Sequence, residues 1–298
     1  MATVGVVPAG LDALVMEKIK AIVLRLPGSR TAKGAVVAIV IKVASSLANI
    51  LMLTVAARQL GPSEFGSFAI WFNIISFLAV IAMCGQETLI VRTWSEYSHT
   101  RRYDLARGAL SFGTMVCTCA SVVAACALAA ASTIIKVDAS PGLVPAACLF
   151  LVVQTVIWFT SNAARTIVGF LFGEGLRETW RIVVAVGALT ISGLGVRLTP
   201  RDFFLLCAGA VSVIIAVQVA TIVRNLPGAV RQATPARDVP AWVRRSLPMW
   251  SASFLDASSQ YLEVILIGAL LSPIAAGGYF VAARLANAFA MLGGGMAN

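Results

Sequence analysis

The chain is short of charge. Only 12% of its 298 residues are Asp, Glu, Lys or Arg, about half the share of an ordinary soluble domain. Acids are scarcer than bases, 13 against 23. Histidine is nearly absent: the single His99 lies in a charged stretch between apolar runs, which excludes a histidine-based triad and a zinc site of the HExxH kind. No glycine-rich loop ending in Lys-Ser or Lys-Thr occurs, so P-loop phosphate chemistry is excluded as well. No enzymatic constellation, cofactor or metal is implied. What abounds is apolar sequence, at 59% of residues and a mean hydropathy of +0.90.

The six cysteines (Cys84, Cys117, Cys119, Cys126, Cys148, Cys207) all lie inside apolar runs. Cys117 and Cys119 are two apart and point to different sides of a helix, and no histidine or second pair completes a zinc set. They read as small packing residues. The formal charge of +10 does not point to nucleic acid, because the basic residues sit in short clusters between apolar runs of roughly 20 residues, as membrane-protein loops do.

Residues 1–33 are not a cleavable signal peptide. Leu11, Leu14, Val15, Ile19, Ile22, Val23 and Leu26 recur at three- and four-residue steps, with Lys18, Lys20 and Arg25 between them. That pattern suits a basic amphipathic helix lying on an anionic phospholipid leaflet, or a plain cytoplasmic tail with helical propensity. Eight apolar stretches follow, near 34–57, 66–90, 108–132, 144–164, 182–198, 203–223, 248–270 and 274–295. Each is about long enough to span some 30 Å of hydrocarbon. The expected fold is an all-α membrane protein of about eight transmembrane helices.

Charge bias orients them. Lys and Arg on alternate sides of these spans total 17 against 4, and the positive-inside rule then puts the N-terminus and the even-numbered loops in the cytoplasm. The remaining two cations, Lys42 and Arg284, fall within spans.

The sequence also repeats itself. Leu60-Gly61-Pro62-Ser63-Glu64-Phe65-Gly66-Ser67-Phe68 follows the first span, and Leu271-Ser272-Pro273-Ile274-Ala275-Ala276-Gly277-Gly278-Tyr279 follows the seventh. Leu, Pro, Gly and an aromatic recur in order at a constant offset of 211 residues. Both segments fall where a tight external turn joins two spans, Pro stopping one helix and Gly admitting the next. At the same offset Lys42 aligns with Ser253, Ser45 with Asp256 and Asn49 with Gln260. Six spans separate the copies, so both enter the membrane in the same direction, as parallel halves related by an axis along the membrane normal. The predicted organisation is a cytoplasmic segment over 1–33, a complete six-helix lobe over 34–224, an inter-lobe linker over 225–247 and the first two helices of a second lobe over 248–298. Two complete copies would need roughly 450 residues, so the chain reads as a C-terminally truncated version.

Ionisable groups at membrane depth cost several kcal/mol on insertion scales, so they face a cavity or a partner. Lys42, Ser45, Ser46 and Asn49 follow i, i+3, i+4, i+7 spacing on the first span; Ser253, Asp256, Gln260 and Glu263 do so closely enough on the seventh. Arg284 falls near the midplane of the eighth. One reading is a hydrated cleft between the lobes, with Lys42, Ser45, Asn49, Gln260 and Arg284 binding an anionic polar substrate, and Asp256 and Glu263 setting the local field or carrying a coupling ion. The other is a structural Lys42–Asp256 ion pair that locks the lobes, with Glu263 snorkelling outward. Glu87, one turn inside Arg92, is placed to pair with Arg92 or Lys42. Arg92 and Arg165 end the second and fourth spans as interfacial cations, with a place at the cytoplasmic mouth of the cleft as the sharper reading.

The stretch Ala57-Arg58-Gln59 through Phe68 resembles the first external turn of polysaccharide-biosynthesis flippases of the multidrug/oligosaccharidyl-lipid/polysaccharide exporter superfamily. Asp256 through Ile267, Leu271-Ser272-Pro273 and Gly278 through Leu285 resemble the start of that family's second lobe, and Arg92 and Arg165 sit where its members tend to carry Arg. The resemblance implies a bacterial cytoplasmic-membrane transporter, not an enzyme. It implies a polyprenyl-diphosphate-linked oligosaccharide as substrate, alternating access of two lobes, and polysaccharide polymerase or export machinery as partners. The family has 12–14 spans. The competing readings are a cation-coupled multidrug exporter of the same superfamily, and an inactive truncated membrane protein.

Overall fold

The computed structural model describes the backbone of residues 30–134 and 141–294, and the side chains of 40–134 and 141–286. The amphipathic segment expected over 1–33 lies almost wholly outside the described residues. Every regular element among them is helical, as a chain with lipid on most sides requires: backbone N–H and C=O groups must be satisfied inside each segment. The elements are α1 (Arg30–Ala82), α2 (Gln86–His99), α3 (Tyr103–Ile134), α4 (Leu143–Ile167), a π turn (Leu171–Gly175), α5 (Leu176–Gly193), α6 (Pro200–Asn225), the short α7 (Gly228–Gln232), α8 (Val239–Leu270) and α9 (Pro273–Gly294). Four stretches among the described residues are long and apolar enough to cross a membrane by length and composition: Val40–His99, Tyr103–Ile134, Leu143–Ile167 and Pro200–Asn225. The protein is an all-α membrane protein.

Helix boundaries follow local chemistry. α1 breaks at Gly61, whose φ of 74° and ψ of 170° no helix allows, so residues 30–60 and 62–82 are two helices meeting at the predicted turn. The second predicted span is interrupted as well. Cys84 (φ 49°) and Gly85 (φ 72°) are left-handed, and this break separates α1 from α2. α6 starts on a capping box. Thr199 Oγ1 accepts the Asp202 amide at 3.4 Å, and the Asp202 carboxylate accepts the Thr199 amide at 2.9 Å. α8 begins at Val239, inside the stretch expected to be linker, because Asp238 caps it by accepting the Ala241 amide at 3.3 Å.

Two aromatic cores stack along the bundle. At the Gly61 end Phe68, Phe72, Phe150, Trp180, Phe203 and Phe204 pack together, all buried, with Phe68 and Phe204 ring centroids 5.0 Å apart. At the opposite, basic end, Trp94, Tyr97, Phe112, Phe159 and Trp242 form the second core. α9 joins the first core through Phe280, 6.0 Å from Phe72.

The two external turns lie against each other. A Cβ on Gly277 would sit 3.1 Å from the Gly66 Cα. Gly66 and Gly277 are the glycines that the 211-residue offset aligns in sequence. A Cβ on Gly66 would overlap the Pro273 carbonyl, which is backbone and cannot step aside. Gly66→Ala is therefore expected to destabilise the protein by about 3 kcal/mol, the upper range for overpacking. Gly277→Ala, facing contacts of 3.1 to 3.3 Å, should cost less. Thermal unfolding of both variants in one detergent checks the order.

Candidate functional site

The sequence hides its densest charge cluster in Glu174-Gly175-Leu176-Arg177-Glu178-Thr179-Trp180-Arg181, where spacings of three and four put acids and bases on one helical face. The π turn makes that face continuous with α5. It is held by Gln218 of α6, which has no exposed surface. Gln218 Oε1 accepts the Thr160 hydroxyl at 2.7 Å, while its amide donates to Ser161 Oγ at 2.9 Å and to the Gly173 carbonyl at 3.4 Å. Gly173 lets this turn press on α4: a Cβ there would lie 2.6 Å from the Ser161 carbonyl oxygen and the Arg165 nitrogen.

Along the face runs a ladder of ion pairs. Glu174 takes Arg177 at 2.6 Å and, more loosely, Arg165 at 3.7 Å. Arg177 also meets Glu178 at 3.0 Å, and Glu178 pairs with Arg181. The Arg181 Nε is buried and unpartnered. Arg284 of α9 is near enough for like-charge repulsion with Arg181, as Arg177 is. The helix geometry agrees. Arg181 and Arg284 lie roughly 18 and 16 Å from the Gly61 end of the bundle at 1.5 Å per residue, so they share a depth. Each guanidinium covers an aromatic face: Arg177 over Trp158 at 5.0 Å, Arg181 over Trp180 at 5.0 Å, and Arg284 over Tyr261 at 5.6 Å and Phe280 at 5.2 Å. Four arginines and two carboxylates leave a surplus of two positive charges, carried mainly by Arg284, for which no ion pair is seen among the described residues, and by Arg165, which Glu174 holds only at 3.7 Å. Aromatic faces offset part of the desolvation of Arg284; an anion would offset the rest and could also take the unpartnered Arg181 Nε.

Behind the same aromatics lies a small cavity of about 130 Å³, lined among others by Glu87, Trp158, Ser253, Asp256, Gln260 and Tyr261. Trp158 and Tyr261 thus line the acidic pocket and also carry the Arg177 and Arg284 guanidinium groups. Glu87 Oε1, on α2, accepts the hydroxyl of Ser253 on α8 at 3.1 Å, and its Oε2 is shielded without a partner. Asp256 accepts the Gln260 amide at 3.0 Å.

The expected site residues divide accordingly. Arg284 enters the cationic cluster, and Glu87, Asp256 and Gln260 share the acidic pocket. Glu263 lies on the exposed side of α8 and accepts the Tyr279 hydroxyl at 2.5 Å. On α1, Ser45 bonds the Ile41 carbonyl at 2.7 Å, Asn49 is half-buried, and Lys42 is exposed. Among the ion pairs of the described residues, none joins Lys42 to Asp256, and Glu87 pairs with neither Lys42 nor Arg92. Arg92 is exposed near the basic end, where Arg165 packs over Phe170 at 5.5 Å. Sequence reasoning counted Arg177 and Arg181 as loop charges and passed over Glu174 and Glu178. The signal available was their alternation at helical spacing with no Gly or Pro after Gly175.

A protein-family model described as polysaccharide biosynthesis protein matches residues 31–297. Neither the curated proteins nor the solved structures give a match.

Proposed function

This chain belongs to the polysaccharide biosynthesis protein family, a transporter-type membrane family, and from that premise we propose that it translocates a polyprenyl-diphosphate-linked oligosaccharide across the bacterial cytoplasmic membrane by alternating access. The observation that carries the reading is the nearness of Arg181 and Arg284 at one depth on α5 and α9, in a cluster with surplus positive charge packed over aromatic rings. A diphosphate offers charge and paired oxygens that match guanidinium forks, and aromatic faces suit sugar rings, while the prenyl chain stays in the bilayer. In this reading the basic end and the N-terminus face the cytoplasm, and Arg92, Arg165 and Lys42 draw the anionic headgroup to the mouth. Ser45, Asn49 and Gln260 offer hydroxyl and amide groups to sugars. The Glu87–Asp256 pocket takes the coupling proton or cation, and Glu263 trims the field on the far side. Polymerase or export machinery receives the product.

Two measurements test this. Reconstituted protein should flip a polyprenyl-diphosphate glycan at least tenfold faster than the same lipid glycan lacking the diphosphate, the scale expected when charge-assisted hydrogen bonds are lost. Equal rates would overturn the diphosphate reading. Lys42→Ala should lower surface polysaccharide about tenfold in cells that depend on this gene, with protein in the membrane unchanged, because one exposed cation contributes on the order of 1 kcal/mol through steering. Normal export by that variant would remove Lys42 from the pathway.

A further inference from the structure

A second cavity, of about 470 Å³, opens at the corner where α4 gives way to the π turn and α5. Phe170, Phe172 and Leu176 are among its walls, and the one polar side chain in its lining is Thr179. The Thr179 hydroxyl is spent on the Leu176 carbonyl at 2.8 Å. Backbone donors at the corner are spent too. The Val168 and Gly169 amides both go to the Ala164 carbonyl, at 2.8 and 3.1 Å, and the Gly173 amide goes to the Gly169 carbonyl at 3.1 Å. With these donors taken, the groove suits hydrocarbon better than a hydroxylated ligand. Gly169 turns the corner at a φ of 143°, and a Cβ there would meet nothing within 4 Å, so the chain bends at the edge of open space.

Its depth and its charge narrow the occupant. α4 is long and apolar enough to cross a membrane, so its end at Ile167 marks a membrane–water interface. From Leu171, 64% exposed, to Thr179 the helix runs roughly 12 Å at 1.5 Å per residue, against about 15 Å of hydrocarbon in one leaflet. The groove thus follows most of one leaflet and stops, which is the reach of an acyl chain and far short of a polyprenyl tail. A cation stands at its interfacial end. Arg165, in the last turn of α4, lies 5.5 Å over the ring of Phe170. Its side chain is 42% exposed, and its ion pair with Glu174 is loose at 3.7 Å, whereas Arg177 holds the same carboxylate at 2.6 Å. A phosphate arriving at Arg165 displaces the weak rung of the ladder and leaves the strong one, and guanidinium pairs with phosphate well.

We propose that this groove binds an anionic phospholipid, with one acyl chain lying against Phe170, Phe172 and Leu176 and the phosphate taken by Arg165. Bound there, the lipid pins the corner between α4 and α5 and leaves Glu174 to Arg177, so membrane composition sets the foot of the arginine ladder. The site stands whether or not the protein carries a glycan. Its test uses the full chain in detergent and native mass spectrometry with phosphatidylglycerol and phosphatidylcholine of the same chain length. Phosphatidylglycerol should bind at least tenfold tighter, the scale of one charge-assisted hydrogen bond. Arg165→Gln should bring the two affinities level, whereas Arg92→Gln, which removes another exposed cation near the basic end, should keep the preference. Thr179→Trp fills the groove and should weaken both lipids about tenfold, the worth of roughly two buried methylenes. If that variant does not fold, a benzophenone amino acid at Leu171 decides in its place. It should capture phosphatidylglycerol in preference, while the same group at exposed Val123 of α3 should capture both lipids alike. Equal affinities in the unsubstituted chain would overturn the site. So would a preference that survives Arg165→Gln, undiminished binding by Thr179→Trp, or indiscriminate capture at Leu171. Undecaprenyl diphosphate displacing phosphatidylglycerol from Leu171 at equal concentration would hand the groove to the transported lipid and overturn it too. Failure of undecaprenyl diphosphate to bind anywhere counts against the transport function alone.

Discussion

Replacing Arg181 by methionine is expected to reduce export of the lipid-linked glycan about a hundredfold, the equivalent of one or two charge-assisted hydrogen bonds to the transported anion. The protein should still accumulate normally. Arg181 has a buried Nε without a partner and shares its surroundings with Arg177 and Arg284, so removing its charge relieves repulsion and desolvation instead of adding to them. Its counter-ion is not stranded, because Glu178 keeps Arg177 at 3.0 Å. Arg181→Lys should fall between, since an ammonium keeps the charge and loses the fork. Surface polysaccharide and membrane protein, measured together in cells that depend on the gene, give the answer. Wild-type export from the methionine variant would dismiss the cluster as a substrate site.

Glu178→Ala should do the reverse, lowering stability before function. Glu178 touches both Arg177 and Arg181, and without it the four arginines share Glu174 alone. Stripping one partner from a largely buried network costs about 3 kcal/mol. For a chain of this size that is a fall of roughly 6 °C in Tm or more, with a lower yield in the membrane. Combining Glu178→Ala with Arg181→Met should recover much of the loss, because the second change removes the charge that the first one orphans. A double variant as unstable as the sum of the singles would show that the two side chains do not act through each other.

How far the site was legible depends on the residue. Arg284 stood out because nothing but apolar sequence surrounds it, and a lone cation inside a span is visible at once. The alignment of Gly66 with Gly277 was legible from the 211-residue offset, but their contact was not, because an alignment says nothing about which helix faces meet. Arg177 and Arg181 were read as loop charges because acids and bases at adjacent turns lower the local hydropathy below that of a span. The helical path through them depends on a π turn that Gln218, 45 residues further on, holds by its hydrogen bond to Gly173. The Lys42–Asp256 pairing was suggested by matching stripes. Equal depth does not set rotation about the helix axis, and in the fold Asp256 bonds Gln260 while Lys42 faces outward.

By itself, then, the sequence determined that this is an all-helical membrane protein. An apolar chain in lipid must satisfy every backbone group within its own segment, and that requirement is local. Which charges meet and which aromatic rings the acidic pocket shares with the cationic cluster were decided only by tertiary packing. A helix displays its side chains all round, and only the neighbouring helices select the face that becomes a site.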